Sequence, residues 1–362
     1  MNIMKPVDQD HYSGDSTSII ETHSDANHPE LIPVKSSILT PWIKLLRPHQ
    51  WTKNLFCLAG LLFGGRLLEP QSILLSGLTV IFFSIMASAI YIFNDIQDRK
   101  RDRLHPKKKY RPIASGQVSI KTGLAIAVSL AILSILGGNL LGISTLICIL
   151  LYAINNIVYS LKLKNLPLFD VNCIAFGFVL RLLAGIYVLG DMPTAWIVLC
   201  TFFLTLFLGF SKRRSELLTL LHRHSHQDSL NLETSTPENT NSKTLKFSYL
   251  HLFYQRGKQN KQRPVLSEYT LPYLDSLLNS TATMTIMCYA LFTITSGKNP
   301  SLVITVPIVY YAVMHYKWLV TVLADGEEPS RILIQDHTIK LSLFLWLTSY
   351  LAILYFNIHL FH

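Results

Sequence analysis

The sequence predicts an all-α integral membrane protein of nine transmembrane helices, and three observations carry that expectation. Half of the 362 residues are hydrophobic and 15% are charged, against about a quarter charged in a soluble domain, and mean hydropathy is +0.33. Nine apolar stretches are long enough for a hydrocarbon core of about 30 Å, which takes roughly 20 helical residues. The loops between them are alternately rich and poor in Lys and Arg.

The stretches fall at about 52–69, 72–94, 118–137, 140–161, 168–189, 194–211, 271–295, 300–323 and 339–361. The first carries Arg66 near its end, where the side chain can snorkel to the interface. Segments 41–53, 95–117, 162–164, 212–265 and 324–340 hold nearly all the cations, whereas the alternate loops hold only Arg66 and Lys298. Positive loops stay inside, so the N-terminus and the 95–117 loop are expected in the cytosol and the C-terminus outside. The first 40 residues are polar and aperiodic and read as a disordered cytosolic tail, followed by one transmembrane domain over 41–362. The long 212–265 connection reads as a cytosolic loop with a flexible insertion over 215–245. His222, His224 and His226 alternate there without an acidic or cysteine partner at ligand spacing, so solvation is preferred over metal binding. Cys57, Cys148, Cys173, Cys200 and Cys288 lie in apolar runs without paired spacing and read as packing residues. The net charge of +10 sits in the loops, where anionic headgroups and phosphate substrates explain it without nucleic acid.

The most informative stretch is IFNDIQDRKRDRLHPKKKYRPIASG, residues 92–116. If the second span continues as a helix, Asn94, Asp98 and Asp102 recur at i, i+4 and i+8, within about 80° of arc, with Asp95 on the flank. Oxygen donors on one face suit Mg²⁺ bound jointly to protein carboxylates and substrate phosphate. A plain solvated helix end would instead pair these carboxylates with Arg99, Arg101 and Arg103. The NDxxDxxxD spacing directly after a membrane span favours the metal reading, with Asp95, Asp98 and Asp102 as catalytic candidates. Arg103, Lys108 and Arg111 follow as candidate phosphate contacts. Further candidates for substrate binding are Lys53 and Asn54 before the first span, Tyr159 and Lys164 after the fourth, and Lys212 after the sixth. Asp170 at the start of the fifth span and Arg181 in its middle are costly in a bilayer, so each needs a partner or a task.

NDxxDxxxD after the second span, the RPIASG that follows, and nine spans together resemble the UbiA-type prenyltransferase superfamily. The resemblance implies a UbiA-like helical bundle with cytosolic active-site loops and Mg²⁺ as cofactor. Typical members carry a second aspartate-rich motif after the sixth span, where this chain reads SKRRSELL. The motifs RPHQWTKN, YSLKLK with Asp170, GFVLRLLAG, SKRRSEL and RPVLSEY look closer to the decaprenyl-phosphate phosphoribosyltransferase branch, over roughly 41–361. That branch implies transfer of 5-phosphoribose from 5-phosphoribosyl 1-diphosphate (PRPP) to a polyprenyl phosphate in a bacterial inner membrane, for cell-wall arabinose donors. Within it, Asp170 is expected to hold a ribose hydroxyl or to orient a cation. The resemblance is compatible with a monomer or a homo-oligomer. Two alternatives remain at this stage. One is prenyl transfer to an aromatic acceptor, for which Asp325, Glu327 and Glu328 are the only later acidic cluster. The other is a transporter of phosphorylated lipids.

Overall fold

Eight helices long and apolar enough to cross a membrane make up the computed structural model, which describes residues 40–232, 264–297, 299–323 and 329–360. They are α1 Pro70–Gln97, α2 Ile120–Leu140, α3 Ile143–Leu161, α4 Phe169–Tyr187, α5 Ala195–Leu232, α6 Leu271–Thr295, α7 Pro300–Thr321 and α8 His337–Tyr355. Their starts follow local chemistry. Pro70 sits in the first turn of α1, where a missing N–H costs nothing. The side chains of Ser119, Thr270 and Asp336 accept the N–H groups of Thr122, Tyr273 and Ile339, capping α2, α6 and α8. The tail 1–39, Arg263, Lys298 and the acidic cluster Asp325, Glu327 and Glu328 lie outside the described residues.

Two sequence expectations need correction. The first stretch is not a regular spanning helix: Pro48–Leu58 is 3-10 and Ala59–Gly64 is α-helical, and the segment ends with Gly65 in the left-handed region. Tight winding makes up for the shorter run. Eleven 3-10 residues rise about 22 Å and six α residues about 9 Å, together close to the roughly 30 Å of a hydrocarbon core. The connection after the sixth stretch does not begin as a loop at 212, because α5 stays helical to Leu232. No glycine or proline occurs between Gly209 and Pro237, so nothing in the sequence breaks the helix sooner.

Helix α4 is the most enclosed of the eight, packed against α3, α5 and the 48–64 segment. Backbone approaches backbone there: a Cβ on Gly185 would meet the carbonyl oxygen of Cys57, and one on Gly60 the carbonyl oxygen of Gly185. Small residues at such crossings are how helices gain van der Waals contact in a solvent as apolar as their side chains. At the periphery, α2 exposes Leu124, Val128, Ile132 and Leu136 at i, i+4 spacing, a lipid-facing stripe. All five cysteines are buried and unpaired.

Gly185→Ala should therefore lower the melting temperature in detergent, by an overpacking cost of about 1–3 kcal/mol. Gly77→Ala, whose new methyl would meet nothing within 4 Å, should leave it unchanged or raise it. Equal melting curves for the two variants would contradict the close packing.

Candidate active site

The sequence NDIQDRKRDR closes α1 and starts a short helix, Arg99–Arg103, after an interruption at Asp98 (φ −85°, ψ 2°). The i→i+4 ladder survives the break, since Asp98 donates to Asn94 and Asp102 to Asp98 through their backbone N–H groups. Seven residues are close to two helical turns, so Asp95 and Asp102 share a face, and both are 2% exposed. Asp98 is more exposed, at 33%, and pairs with Lys164 on the turn after α3. The expected grouping of Asn94, Asp98 and Asp102, with Asp95 on the flank, is corrected accordingly.

Every one of these carboxylates has a cation, and none of the cations is a helical neighbour. Arg47 donates to Asp95 Oδ1, and Arg111 Nη1 lies 3.1 Å from the same oxygen and 2.6 Å from Asp102 Oδ2. Lys164 Nζ is 3.2 Å from Asp98 Oδ1. The partners Arg99, Arg101 and Arg103 of a plain solvated helix end are not used; Arg103 Nε donates instead to the carbonyl of Ala114, bracing the 112–115 turn. With Arg111 between Asp95 and Asp102, no three His, Cys, Asp or Glu side chains converge as a ready-made metal cage among the described residues. The donor set still fits a hard divalent cation shared with a ligand. Each carboxylate spends one oxygen on its ion pair, and Asn94 Oδ1 is buried with no hydrogen-bond partner. An orphaned carbonyl oxygen beside three carboxylates is what Mg²⁺ coordination through oxygen uses.

A second group of charges lies beside the first. Arg47, its backbone in the left-handed region (φ 53°) ahead of Pro48, stacks over Tyr91 at 5.1 Å. Arg181 is 5% exposed and is cradled by neutral partners only. Its Nε donates to Asn54 Oδ1 (2.7 Å), Nη2 to Tyr152 Oη (2.9 Å) and Nη1 to the Gly177 carbonyl (2.9 Å). The Tyr152 and Phe178 rings lie 4.5 and 5.1 Å from its guanidinium carbon. Lys53, which is exposed, lies within electrostatic range of Arg181, Lys212 and Arg47. Among the described residues, Lys53, Arg181 and Lys212 have no carboxylate partner. The group is a concentration of positive charge that reaches the acidic cluster through Arg47.

Of the two roles expected for Asp170, the one the geometry fits is that of a partner to a cation. It is fully buried in the first turn of α4 and receives Arg213 Nε on Oδ2 and Tyr269 Oη (2.8 Å) on Oδ1. Both oxygens are engaged inside the protein, so direct contact with a ribose is corrected to a contact with Arg213. Tyr269 Oη also accepts the N–H of Leu168, whose φ of 67° and ψ of −48°, with Phe169 N–H on the Pro167 carbonyl, form a strained γ-turn. Burial first, and the Asp170 carboxylate after it, push the Tyr269 phenol above its ordinary range, which keeps the hydroxyl a donor at neutral pH. Arg213 holds Glu216 as well, and Tyr159 lies within its field. Lys108 is exposed on the loop between Arg103 and Arg111. Sequence reasoning did not assign roles to Arg47, Tyr152 or Tyr269. Arg47 was readable from the Arg-Pro pair at a span start and Tyr269 from its place at the end of RPVLSEY, whereas Tyr152 gave no signal beyond lying in an apolar run.

Residues 54–214 match the UbiA prenyltransferase family. The chain is 35% identical over 200 residues to the decaprenyl-phosphate phosphoribosyltransferase of Corynebacterium glutamicum, a match over 54% of this chain and 60% of that relative. To the protein of the same name from Mycolicibacterium smegmatis it is 28% identical over 352 residues, 93% of this chain and 99% of the relative. A solved UbiA homolog from Archaeoglobus fulgidus, bound to GPP and Mg²⁺, aligns with a TM-score of 0.61 at 19% identity, covering 87% of this chain and 99% of that one. That likeness is one of fold.

Tyr269→Phe removes one hydroxyl that serves two buried groups, the Leu168 N–H and Asp170 Oδ1. Stranding such groups costs about 1–3 kcal/mol, so a lower melting temperature in detergent is expected. A variant that melts with the wild type would mean the hydroxyl is not holding the γ-turn.

Proposed function

With a UbiA prenyltransferase domain across residues 54–214, the chain belongs to that family, and we propose that it transfers 5-phosphoribose from PRPP to a membrane polyprenyl phosphate, releasing diphosphate. The observation that carries this reading is the separation of charge. Three carboxylates, Asp95, Asp98 and Asp102, lie near a group of cations, Lys53, Arg181 and Lys212, that have no carboxylate partner among the described residues. One diphosphate leaving group calls for one metal-carboxylate site, and a monophosphate acceptor calls for cations alone. Two relatives named decaprenyl-phosphate phosphoribosyltransferase support the same assignment. Prenyl transfer to an aromatic acceptor is less well supported, because the place after the sixth span where typical members carry a second aspartate-rich motif reads SKRRSELL.

In this reading Asn94, Asp95, Asp98 and Asp102 hold Mg²⁺ against the donor diphosphate. When bound, the ion offsets the negative charge that grows on the departing oxygens. The bond from the ribosyl C1 to diphosphate breaks, its electrons leave with diphosphate, and an acceptor phosphate oxygen bonds to C1. The acceptor is anionic at neutral pH, so no general base is required. Arg111 and Lys108, on the loop over the cluster, contact donor phosphate. Arg181, Lys53 and Lys212 receive the acceptor phosphate. For Arg181 the reason is electrostatic: a buried guanidinium with only neutral partners lacks a counter-charge, and an anionic ligand supplies it. Asn54 and Tyr152 fix the orientation of that guanidinium, while Asp170 and Tyr269 position Arg213, with Tyr159 beside it. Arg103 holds the loop. The asymmetry of loop cations supports an N-terminus and active site on the cytosolic face of a bacterial inner membrane.

Membranes containing the protein, given radiolabelled PRPP and Mg²⁺, should move ribose phosphate into the lipid fraction, and a chelator should stop it. Asp98→Ala should abolish transfer while the protein stays folded in detergent, its partly exposed side chain making it the mildest of the three removals. Label that never enters lipid would exclude the donor. Arg181→Met should raise the KM for polyprenyl phosphate at least about tenfold, roughly 1.4 kcal/mol of lost binding, with much less effect on the KM for PRPP. The reverse pattern would move Arg181 to the donor's side.

A further inference from the structure

Resting on the metal-diphosphate reading above, we propose that Arg111 and Lys164 are exchangeable counter-ions, handed from the carboxylates to the donor's diphosphate as metal and donor bind together. Three carboxylates face three cations: Asp95 with Arg47 and Arg111, Asp102 with Arg111, Asp98 with Lys164. The cluster is therefore electrically balanced before any ligand arrives. A divalent cation added alone would leave two uncompensated positive charges in a poorly solvated place, which is unfavourable. Added with a diphosphate, the same ion brings its own negative charge, and the displaced side chains find new acceptors on the phosphate oxygens.

The three cations differ in freedom to make that move. Arg47 is locked by its left-handed backbone, by Tyr91 beneath its guanidinium and by low exposure, 18%. Arg111 stands at an extended residue between the exposed loop 104–110 and Pro112, with its side chain 28% exposed. Lys164 lies on the short 163–165 turn, with its side chain 23% exposed and opposite Asp98 at 33%. Both of these side chains stand on connections between helices and are partly exposed. Arg111 is also the only one of the three that bridges two carboxylates, so its removal should matter most.

The consequence is synergy between metal and diphosphate, with Arg111 suppressing metal binding when no diphosphate is present. The test uses the full chain in detergent, Mn²⁺ as probe by electron paramagnetic resonance, and inorganic diphosphate as the second ligand. Wild type should bind Mn²⁺ at least tenfold more tightly when diphosphate is saturating. Arg111→Gln should bind Mn²⁺ alone at least threefold more tightly than wild type and lose most of the diphosphate effect. Lys164→Gln, which leaves the buried Asp95–Asp102 pair untouched, should shift in the same direction by less and provides the readout if Arg111→Gln does not fold. Mn²⁺ affinity without diphosphate that is unchanged or weaker in the folded variants would overturn the exchange while leaving the metal site standing. A wild type that binds no Mn²⁺ even with diphosphate would overturn both.

Discussion

Arg181 is the interaction on which the arrangement of this bundle turns. A guanidinium in the middle of a spanning helix cannot be left unsolvated, and here one side chain uses all three of its nitrogens on three different elements. Asn54 belongs to the 48–64 segment, Tyr152 to α3, and Gly177 to α4 itself. The segment is brought close enough for this by glycine: Gly60 and Gly185 let the two backbones touch. Asn54 then has its own amide spent on Ser84 of α1, so a single polar chain links four elements across the membrane interior. What this cradle provides is direction and hydrogen bonding, and what it withholds is negative charge. Structure and function meet at that omission.

The acidic end of α1 obeys the opposite rule. Its carboxylates are compensated at once, by residues 48, 16, 9 and 66 positions away in sequence. Such long-range pairing fixes the loop after α1 and the short turn after α3 against a common centre, and Arg103 adds a brace to Ala114. On the other side, Arg213 and Arg214 neutralise Asp170 and Asp275 within the protein. Near α5 the carboxylates Asp170 and Asp275 pair with cations of α5 itself, whereas those at the end of α1 pair with cations of other segments.

Much of this could be read from the chain alone, for identifiable reasons. Eight spans follow from apolar length, because lipid forces backbone groups into helices and leaves little else to decide. The segment 48–64 resisted, since a period of 3.6 residues was assumed where the backbone winds at 3.0; Asn54 and Cys57, buried three apart, were the available hint. The continuation of α5 to Leu232 was hidden because polarity looked like loop while nothing broke the helix. Membership of the acidic cluster was legible from the NDxxDxxxD spacing, but its pairing was not. Which cation reaches Asp95 depends on where Arg47 and Arg111 meet in space, and spacing along one helix carries no such information. Asp170 illustrates the same limit: its cost in a membrane was evident, and its partners Arg213 and Tyr269, 43 and 99 residues on, were not.

The 3-10 winding of residues 48–58 also holds that stretch longer than an α-helix of the same residues would be. Rewinding eleven residues as an α-helix would shorten it by about 5 Å and rotate each successive side chain by a further angle of some twenty degrees. Asn54 could not then remain on Arg181 and Ser84 while Gly60 stayed against Gly185. The pitch of this strand of backbone and the aim of a charge on another helix are mechanically geared, so a change that merely favours one helical period over the other would be felt at the guanidinium without touching it.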